Sequence, residues 1–168
     1  MTHLFDAPSL AELHEAIVTV LPEFEQSKLS LLNAGWDSVG VEVDGDWIFK
    51  FPRHPEAEER LRKEARILAM VRAHAALPVP DMVLFEAPRL FSRHRKLPGG
   101  FLEPADYLPL SEQQRDAIAE QMAGLYAALH AIPRAEARAA GALQVEQWPV
   151  PDAVARCAPH LPAGLLPH

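Results

Sequence analysis

Two short stretches of alternating apolar residues lie on either side of an Asp44-Gly45 pair. The alternating residues are Val39, Val41 and Val43 before the pair and Trp47, Phe49 and Phe51 after it. Alternation with a period of two is typical of strands that bury one face, and Asp-Gly favours a tight hairpin turn. The sequence therefore predicts two antiparallel strands joined by a hairpin, and hence a sheet with at least one buried face.

The segments around this hairpin predict an α+β fold. Helical spacing of apolar residues and strand-like runs between turn residues alternate along the chain. The predicted helices cover 10–21 and 56–75 and a long segment from Ser111 to Ile132, and the further strands cover 28–33, 82–86 and 90–96. This order predicts an N-terminal helix, a five-stranded antiparallel sheet crossed by one helix, a hinge-like Gly99-Gly100 segment and a helical region. Prolines interrupt 133–168, where no element is predicted.

Two charged residues stand in otherwise apolar patterns. Lys50 lies within the strand that carries Phe49 and Phe51, and Glu64 interrupts the apolar stripe of the helix at 56–75. Lys50 either turns to solvent or points at an anion, with a carboxylate nearby to hold it. Burying an ammonium and a carboxylate is costly unless each satisfies the other. The second alternative therefore predicts that Lys50 and Glu64 lie together beside an anion site.

Four stretches, in this order and spacing, resemble the aminoglycoside phosphotransferase family, a relative of choline kinases and protein kinases. They are GWDSVGVEVDGDWIFKFPR at 35–53, LRKEARIL at 61–68, LPVP at 77–80 and RKLPGGFL at 95–102. The resemblance implies a kinase-like, nucleotide-binding N-terminal lobe at 1–97 with a hinge near 93–100. Residues 101–168 would then begin a helical C-terminal lobe.

The resemblance also implies a role for particular residues. Lys50 would bind the nucleotide phosphates and Glu64 would orient it, as in kinases. Gly35 and Ser38 would belong to a phosphate loop at 35–40, and the backbone near Arg95 and Leu97 would form the hinge that hydrogen-bonds adenine. The implied cofactor is ATP or GTP with magnesium, and the implied substrate is a small molecule with a hydroxyl group.

The second half of such an active site is absent from this sequence. The family carries an HxD motif, then an asparagine about five residues on, then a metal-binding aspartate. No histidine here is followed two residues later by aspartate, and Asn33 is the only asparagine. We therefore expect the chain to end before the catalytic loop, to contain no catalytic or metal-binding residue, and to be inactive in transfer alone. The alternative is a non-catalytic, pseudokinase-like module that binds nucleotide or a partner.

Composition excludes several other classes. A net charge of −7 argues against a nucleic-acid binder, and no apolar run approaches the roughly 18 residues of a membrane span. The start lacks the pattern of a signal peptide, and the single cysteine, Cys157, permits no internal disulfide. These features predict a cytoplasmic protein. An incomplete lobe would expose apolar surface, so we also expect self-association.

Overall fold

The computed structural model describes residues 8–32, 35 and 37–142. Its centre is a five-stranded antiparallel sheet, as predicted, with strand order β1-β2-β3-β5-β4. The strands are β1 (Leu29–Leu31), β2 (Ser38–Val43), β3 (Trp47–Pro52), β4 (Val83–Phe85) and β5 (Phe91–Arg95). The helices are α1 (Leu10–Val20), α2 (Pro55–His74), α3 (Pro104–Tyr107), α4 (Glu112–Ala131) and α5 (Arg134–Ala139), and a short 3-10 turn covers Pro22–Phe24.

The predicted hairpin joins β2 and β3. Val43 is paired with Trp47 and Val41 with Phe49, so the alternating apolar residues of both strands share one face. Asp44 and Gly45 both have positive φ, at 53° and 75°. Two consecutive positive φ angles are what a tight hairpin of the favoured hand requires, which explains why this pair occupies the turn.

The apolar face of the sheet packs against α1 and the 3-10 turn. This core contains Leu13, Ala16, Ile17, Phe24, Val39, Val41, Val43, Phe49, Phe51 and Phe91. The rings of Phe24 and Phe49 meet edge to face, with centroids 5.4 Å apart. α1 is fixed at its start by a capping box in which Ser9 and Glu12 exchange hydrogen bonds. One face of the sheet is therefore closed by apolar packing.

The opposite face of the same strands carries Gly40, Ile48 and Lys50, and α2 lies beside it. Ala57 and Leu61 are the buried residues of α2, with 1% and 2% of their surface exposed. They are separate from the main core. α2 thus contributes its apolar side chains to the second face of the sheet, where the charged residue of β3 also lies.

Several boundaries differ from the predicted ones. β1 is shorter than 28–33, although the Leu32 amide still donates to the Gly40 carbonyl at 2.9 Å; Asn33 lies outside the described residues. α3 was not predicted, because a single turn is too short to show helical periodicity. Its start is marked by Pro104 and by the Asp106 carboxylate, which accepts a hydrogen bond from the Glu103 amide at 3.2 Å.

The described residues beyond β5 contain helices and no strand. α4 begins at the predicted Ser111–Gln114 capping box, but none of its side chains is buried within the described part of the chain. Large apolar residues are exposed around it, including Phe101, Leu108, Met122 and Tyr126. The division into two lobes near residue 97 and self-association through this surface stay predictions. Among the helices the structure describes, none is long and apolar enough to cross a membrane.

A matched pair of phenylalanine substitutions tests which face holds the fold together. Phe49→Ala removes a fully buried ring and should lower the free energy of unfolding by about 3–5 kcal/mol. Phe101→Ala makes the same change at a residue that is 94% exposed and should alter it by less than about 0.5 kcal/mol. Urea denaturation followed by circular dichroism measures both. Equal losses in the two variants would contradict the assignment of the core.

Candidate functional site

Lys50 and Glu64 form an ion pair between β3 and α2. The Lys50 Nζ lies 2.8 Å from Glu64 Oε1 and 2.6 Å from Oε2, although the residues are 14 positions apart in the chain. The side chains are 28% and 41% exposed. The Lys50 side chain is therefore partly buried, its ammonium is paired with the Glu64 carboxylate, and part of its surface remains accessible to solvent.

The start of α2 determines where Glu64 points. The helix begins at Pro55, and the His54 ring accepts a hydrogen bond from the Ala57 amide at 3.3 Å. Ala57, Leu61 and Glu64 are spaced by four and three residues, so they share one helix face. Because Ala57 and Leu61 are buried, the next residue of this face, Glu64, is directed to the same side of the sheet as Lys50.

A cleft of about 440 Å³ opens beside this ion pair. Its walls are the β1–β2 turn, β3 and α2. Four of the six residues predicted for the site line it, namely Gly35, Ser38, Lys50 and Glu64. Ile48 and Leu61 add apolar surface next to the charges. The structure thus brings together the predicted phosphate loop and the predicted lysine–glutamate pair in one cavity.

The cleft wall contains two glycines, Gly35 and Gly40, and only at Gly40 does the surrounding structure disfavour a larger residue. A Cβ at Gly35 would meet only the Ser38 carbonyl at 3.6 Å, an ordinary contact, so the chain itself does not demand glycine there. A Cβ at Gly40 would lie 3.3 Å from the Leu32 Cβ, which is tight. The absence of a side chain at Gly40 therefore lets Leu32, just after β1, pack closely against β2. The alternating pattern of β2 gave no indication of this close contact.

Arg95 and Leu97 do not line the cleft. Arg95 is paired with Trp47 and so lies on the other face of the sheet, where its guanidinium is 4.1 Å from the Trp47 ring and 3.2 Å from an Asp46 carboxylate oxygen. Leu97 is 39% exposed. Neither side chain is brought to Lys50. The predicted hinge contact concerns the backbone near these residues, and it stays a prediction.

A second ion pair lines the cleft. Arg60 of α2 binds both carboxylate oxygens of Asp37 in the β1–β2 turn, with its Nε and Nη2 each 2.9 Å from an oxygen. Both residues line the cleft. The sequence predicted no role in the site for either residue. The pair joins residues 23 positions apart, and no local pattern indicates such a contact.

β5 places two polar residues on the cleft side of the sheet. Ser92 is paired with Lys50, and His94 with Ile48. Ser92 is fully buried, and neither its Oγ nor the His94 Nδ1 has a hydrogen-bond partner among the described residues. Burial lowers the pKa of His94, the charge of Lys50 lowers it further, and Glu64 opposes this. His94 is therefore neutral near pH 7, as suits a ring beside a lysine.

The described residues do not fit a magnesium site. No group of three or more histidine, cysteine, aspartate or glutamate side chains in this part of the chain is arranged to hold a metal ion. Magnesium prefers several oxygen ligands in octahedral geometry. The two carboxylates in the cleft, Asp37 and Glu64, are each paired with a cation. The site thus supplies side-chain cations rather than metal ligands.

The chain belongs to the phosphotransferase enzyme family (APH). Residues 28–168 match this family, which covers most of the sequence and includes every element of the cleft. The class that the sheet and the lysine–glutamate pair indicated is thus established at the level of the family. No curated protein matches the chain at a significant level.

Solved structures of phosphotransferases share the fold. The GDP and kanamycin complex of APH(2")-IIIa is 23% identical, with a TM-score of 0.71 over 93% of this chain and 52% of its own. ADP-bound APH(2'')-Ib is 21% identical, with a TM-score of 0.64 over 74% of this chain and 41% of its own. Macrolide 2'-phosphotransferase type I is 26% identical, with a TM-score of 0.60 over 96% and 57%. The chain therefore spans about half the length of these proteins.

The lowered pKa of His94 predicts a dependence of stability on pH. Between the folded pKa and the unfolded value of about 6.5, the unfolded chain binds more protons, so protonation favours unfolding. The contribution of neutral His94 is complete above about pH 6.5 and is lost as the pH falls through the folded pKa. His94→Gln cannot be protonated and should lose less stability than the wild type between pH 7 and 5.

His130→Gln is the matched control, because His130 is exposed on α4. It should keep the pH dependence of the wild type in the same urea titrations. A pH profile of His94→Gln that parallels the wild type would show that His94 does not carry the effect.

Proposed function

We propose that this chain is the nucleotide-binding part of a phosphotransferase that uses ATP or GTP to phosphorylate a hydroxyl group of a small molecule. The observation that carries the proposal is the Lys50–Glu64 pair at the edge of the 440 Å³ cleft. In phosphoryl transfer the protein acts mainly by positioning and by neutralising charge on the phosphates. A lysine held by a glutamate on a neighbouring helix is suited to this task.

Each wall of the cleft would then contact a different part of the nucleotide. The Lys50 ammonium would bind phosphate oxygens, and Glu64 would fix the flexible lysine chain in one orientation. Ser38 offers a hydroxyl and an amide to the same phosphates, and Ile48 offers apolar surface to the base. The backbone near Arg95 and Leu97 would provide the hinge contact to adenine or guanine.

The acceptor is proposed only as a class. One similar structure contains kanamycin and another is named a macrolide phosphotransferase, so both kinds of hydroxyl-bearing antibiotic are reasonable probes. The net charge of −7 favours a cationic acceptor only weakly. We place the protein in the cytoplasm, where ATP and GTP are supplied.

Transfer needs a carboxylate that orients and deprotonates the acceptor hydroxyl. The carboxylates of the cleft, Asp37 and Glu64, already hold Arg60 and Lys50. The HxD motif that supplies this group in the family does not occur in the sequence. We therefore propose that the 168-residue chain binds nucleotide without transferring phosphate.

The same absence supports a second candidate, a pseudokinase-like module that binds nucleotide or a partner and does no chemistry. Both candidates predict the same cleft, and they differ in what the coding sequence contains after codon 168. A coding sequence that continues with an HxD motif and an asparagine favours the phosphotransferase, and one that ends at codon 168 favours the module.

Nucleotide binding should depend on Lys50. ADP or GDP should raise the melting temperature of the wild-type chain, since a ligand that binds only the folded state stabilises it. Lys50→Ala should weaken nucleotide binding by at least about tenfold, because a charge-assisted contact to phosphate is lost. Lys28→Ala removes an exposed lysine outside the cleft and should bind as the wild type does. Calorimetric titration of Lys50→Ala with wild-type affinity would refute the role of this lysine.

Phosphoryl transfer by the isolated chain should be undetectable. Radiolabelled ATP or GTP would be incubated with the chain, magnesium and kanamycin or a macrolide, and labelled acceptor would be measured. Lys50→Ala prepared in parallel reveals any contaminating kinase. Transfer by the wild type that is absent in Lys50→Ala would show that the chain is catalytically complete.

A further inference from the structure

The Asp37–Arg60 pair joins two walls of the cleft, the β1–β2 turn and α2. Arg60 and Glu64 are four residues apart on α2, so they project from the same face of the helix. Asp37 reaches Arg60 from the β1–β2 turn, which the preceding proposal assigns to the nucleotide phosphates. Arg60 therefore stands where a phosphate bound near Lys50 and Ser38 would meet α2.

The charges of the cleft balance to zero in this state. Its lining contains two cations, Lys50 and Arg60, and two carboxylates, Asp37 and Glu64. A nucleotide diphosphate or triphosphate brings several negative charges into this neutral site. A carboxylate that stopped neutralising its cation would leave a positive charge for the phosphates and so favour binding. The two ion pairs of the cleft are the candidates.

The two pairs differ in how easily they can be opened. Lys50 and Glu64 are 28% and 41% exposed, whereas Arg60 and Asp37 are 53% and 47% exposed, so the two pairs differ mainly in how far the cation is exposed. An exposed ion pair contributes little to stability, because water solvates both partners well when they separate. Guanidinium also matches the geometry of phosphate as well as that of carboxylate, with two parallel hydrogen bonds. Exchange of Asp37 for a phosphate group on Arg60 is therefore inexpensive.

We propose that Arg60 is a second phosphate-binding cation of the cleft, and that Asp37 occupies it as a competing carboxylate until nucleotide binds. This inference rests on the proposed function, because it names a further residue of the same site. Lys50 would keep its partner Glu64, and Arg60 would exchange its partner. The pair thus differs from a simple tether of the turn, which nucleotide binding would leave intact.

If Arg60 exchanges Asp37 for phosphate, Arg60→Ala and Asp37→Asn should change nucleotide affinity in opposite directions. If the pair is only a tether, both should weaken binding. Arg60→Ala should weaken ADP and GDP binding by about tenfold, the lower end for a hydrogen bond to a charged group. Asp37→Asn removes the competing charge and should tighten binding of the same nucleotides by up to about fivefold, the range set by an exposed ion pair. Adenosine and guanosine lack phosphate, so both variants should bind them as the wild type does. Calorimetric titrations with the four compounds measure these effects.

Two variants outside the cleft serve as controls, one just after β4 and one on α2. Glu86→Gln neutralises a carboxylate that pairs with Arg62 outside the cleft, and Arg66→Ala removes an exposed arginine of the same helix. Neither should change nucleotide affinity. A general effect of net charge would instead move these variants together with Asp37→Asn and Arg60→Ala.

The outcomes separate this inference from the function on which it rests. Wild-type binding that Lys50→Ala weakens supports the nucleotide site. If Asp37→Asn then weakens ADP binding as Arg60→Ala does, the pair is a tether, and the exchange is wrong. If Arg60→Ala binds ADP as tightly as the wild type, Arg60 contacts no phosphate, and the inference is equally wrong. Failure of the wild type to bind either nucleotide overturns the proposed function and this inference together.

Discussion

The ion pair between Lys50 and Glu64 depends on one helix being held at one angle to the sheet. Beyond Arg60, α2 is anchored by polar contacts to other parts of the chain: Arg62 to Glu86, Arg72 to Asp81 and His74 to Glu136. Each pair is at least partly exposed and weak by itself. Together with buried Ala57 and Leu61, they fix the helix against the sheet and α5. The position of Glu64, and so that of the Lys50 ammonium, follows from the set of contacts as a whole and not from any single pair.

The alternation of β3 assigns stability and chemistry to opposite faces of the same strand. Phe49 and Phe51 point into a dry core closed by α1, whereas Ile48 and Lys50 point into the cleft. A shift of the register by one residue would exchange the two sets, placing a lysine in the core and phenylalanines in the cleft. The turn at Asp44-Gly45 sets this register. The turn that closes the hairpin therefore also determines which side chains line the cleft.

Local patterns predicted the parts of the site that lie on single elements. The hairpin, α2 and the capped start of α4 each show their own period and end signals, and the interrupted stripe of α2 identified Glu64 as a partner for Lys50. Contacts between distant elements gave no such signal. Asp37 meets Arg60 across 23 positions of the chain. Ser92 comes opposite Lys50 because β5 lies between β3 and β4, which the order of strands along the chain does not reveal. Most of the fold was thus predictable, but only part of the cleft.

Polar residues on the cleft face of the sheet lower the stability of the fold, whereas apolar packing on the core face raises it. Ser92 is fully buried with no partner for its hydroxyl among the described residues, and an unsatisfied buried polar group costs about 1–3 kcal/mol. His94 is held neutral beside a lysine, at a cost that grows when it is protonated. An alanine or valine at position 92 would avoid the first cost. On the opposite face, five phenylalanine rings make contacts with centroids 4.8–6.0 Å apart. Ser92 and His94 thus lie on the face that lines the cleft and the phenylalanine rings on the face that packs the core, so that only the second face contributes apolar packing without an unsatisfied polar group of β5.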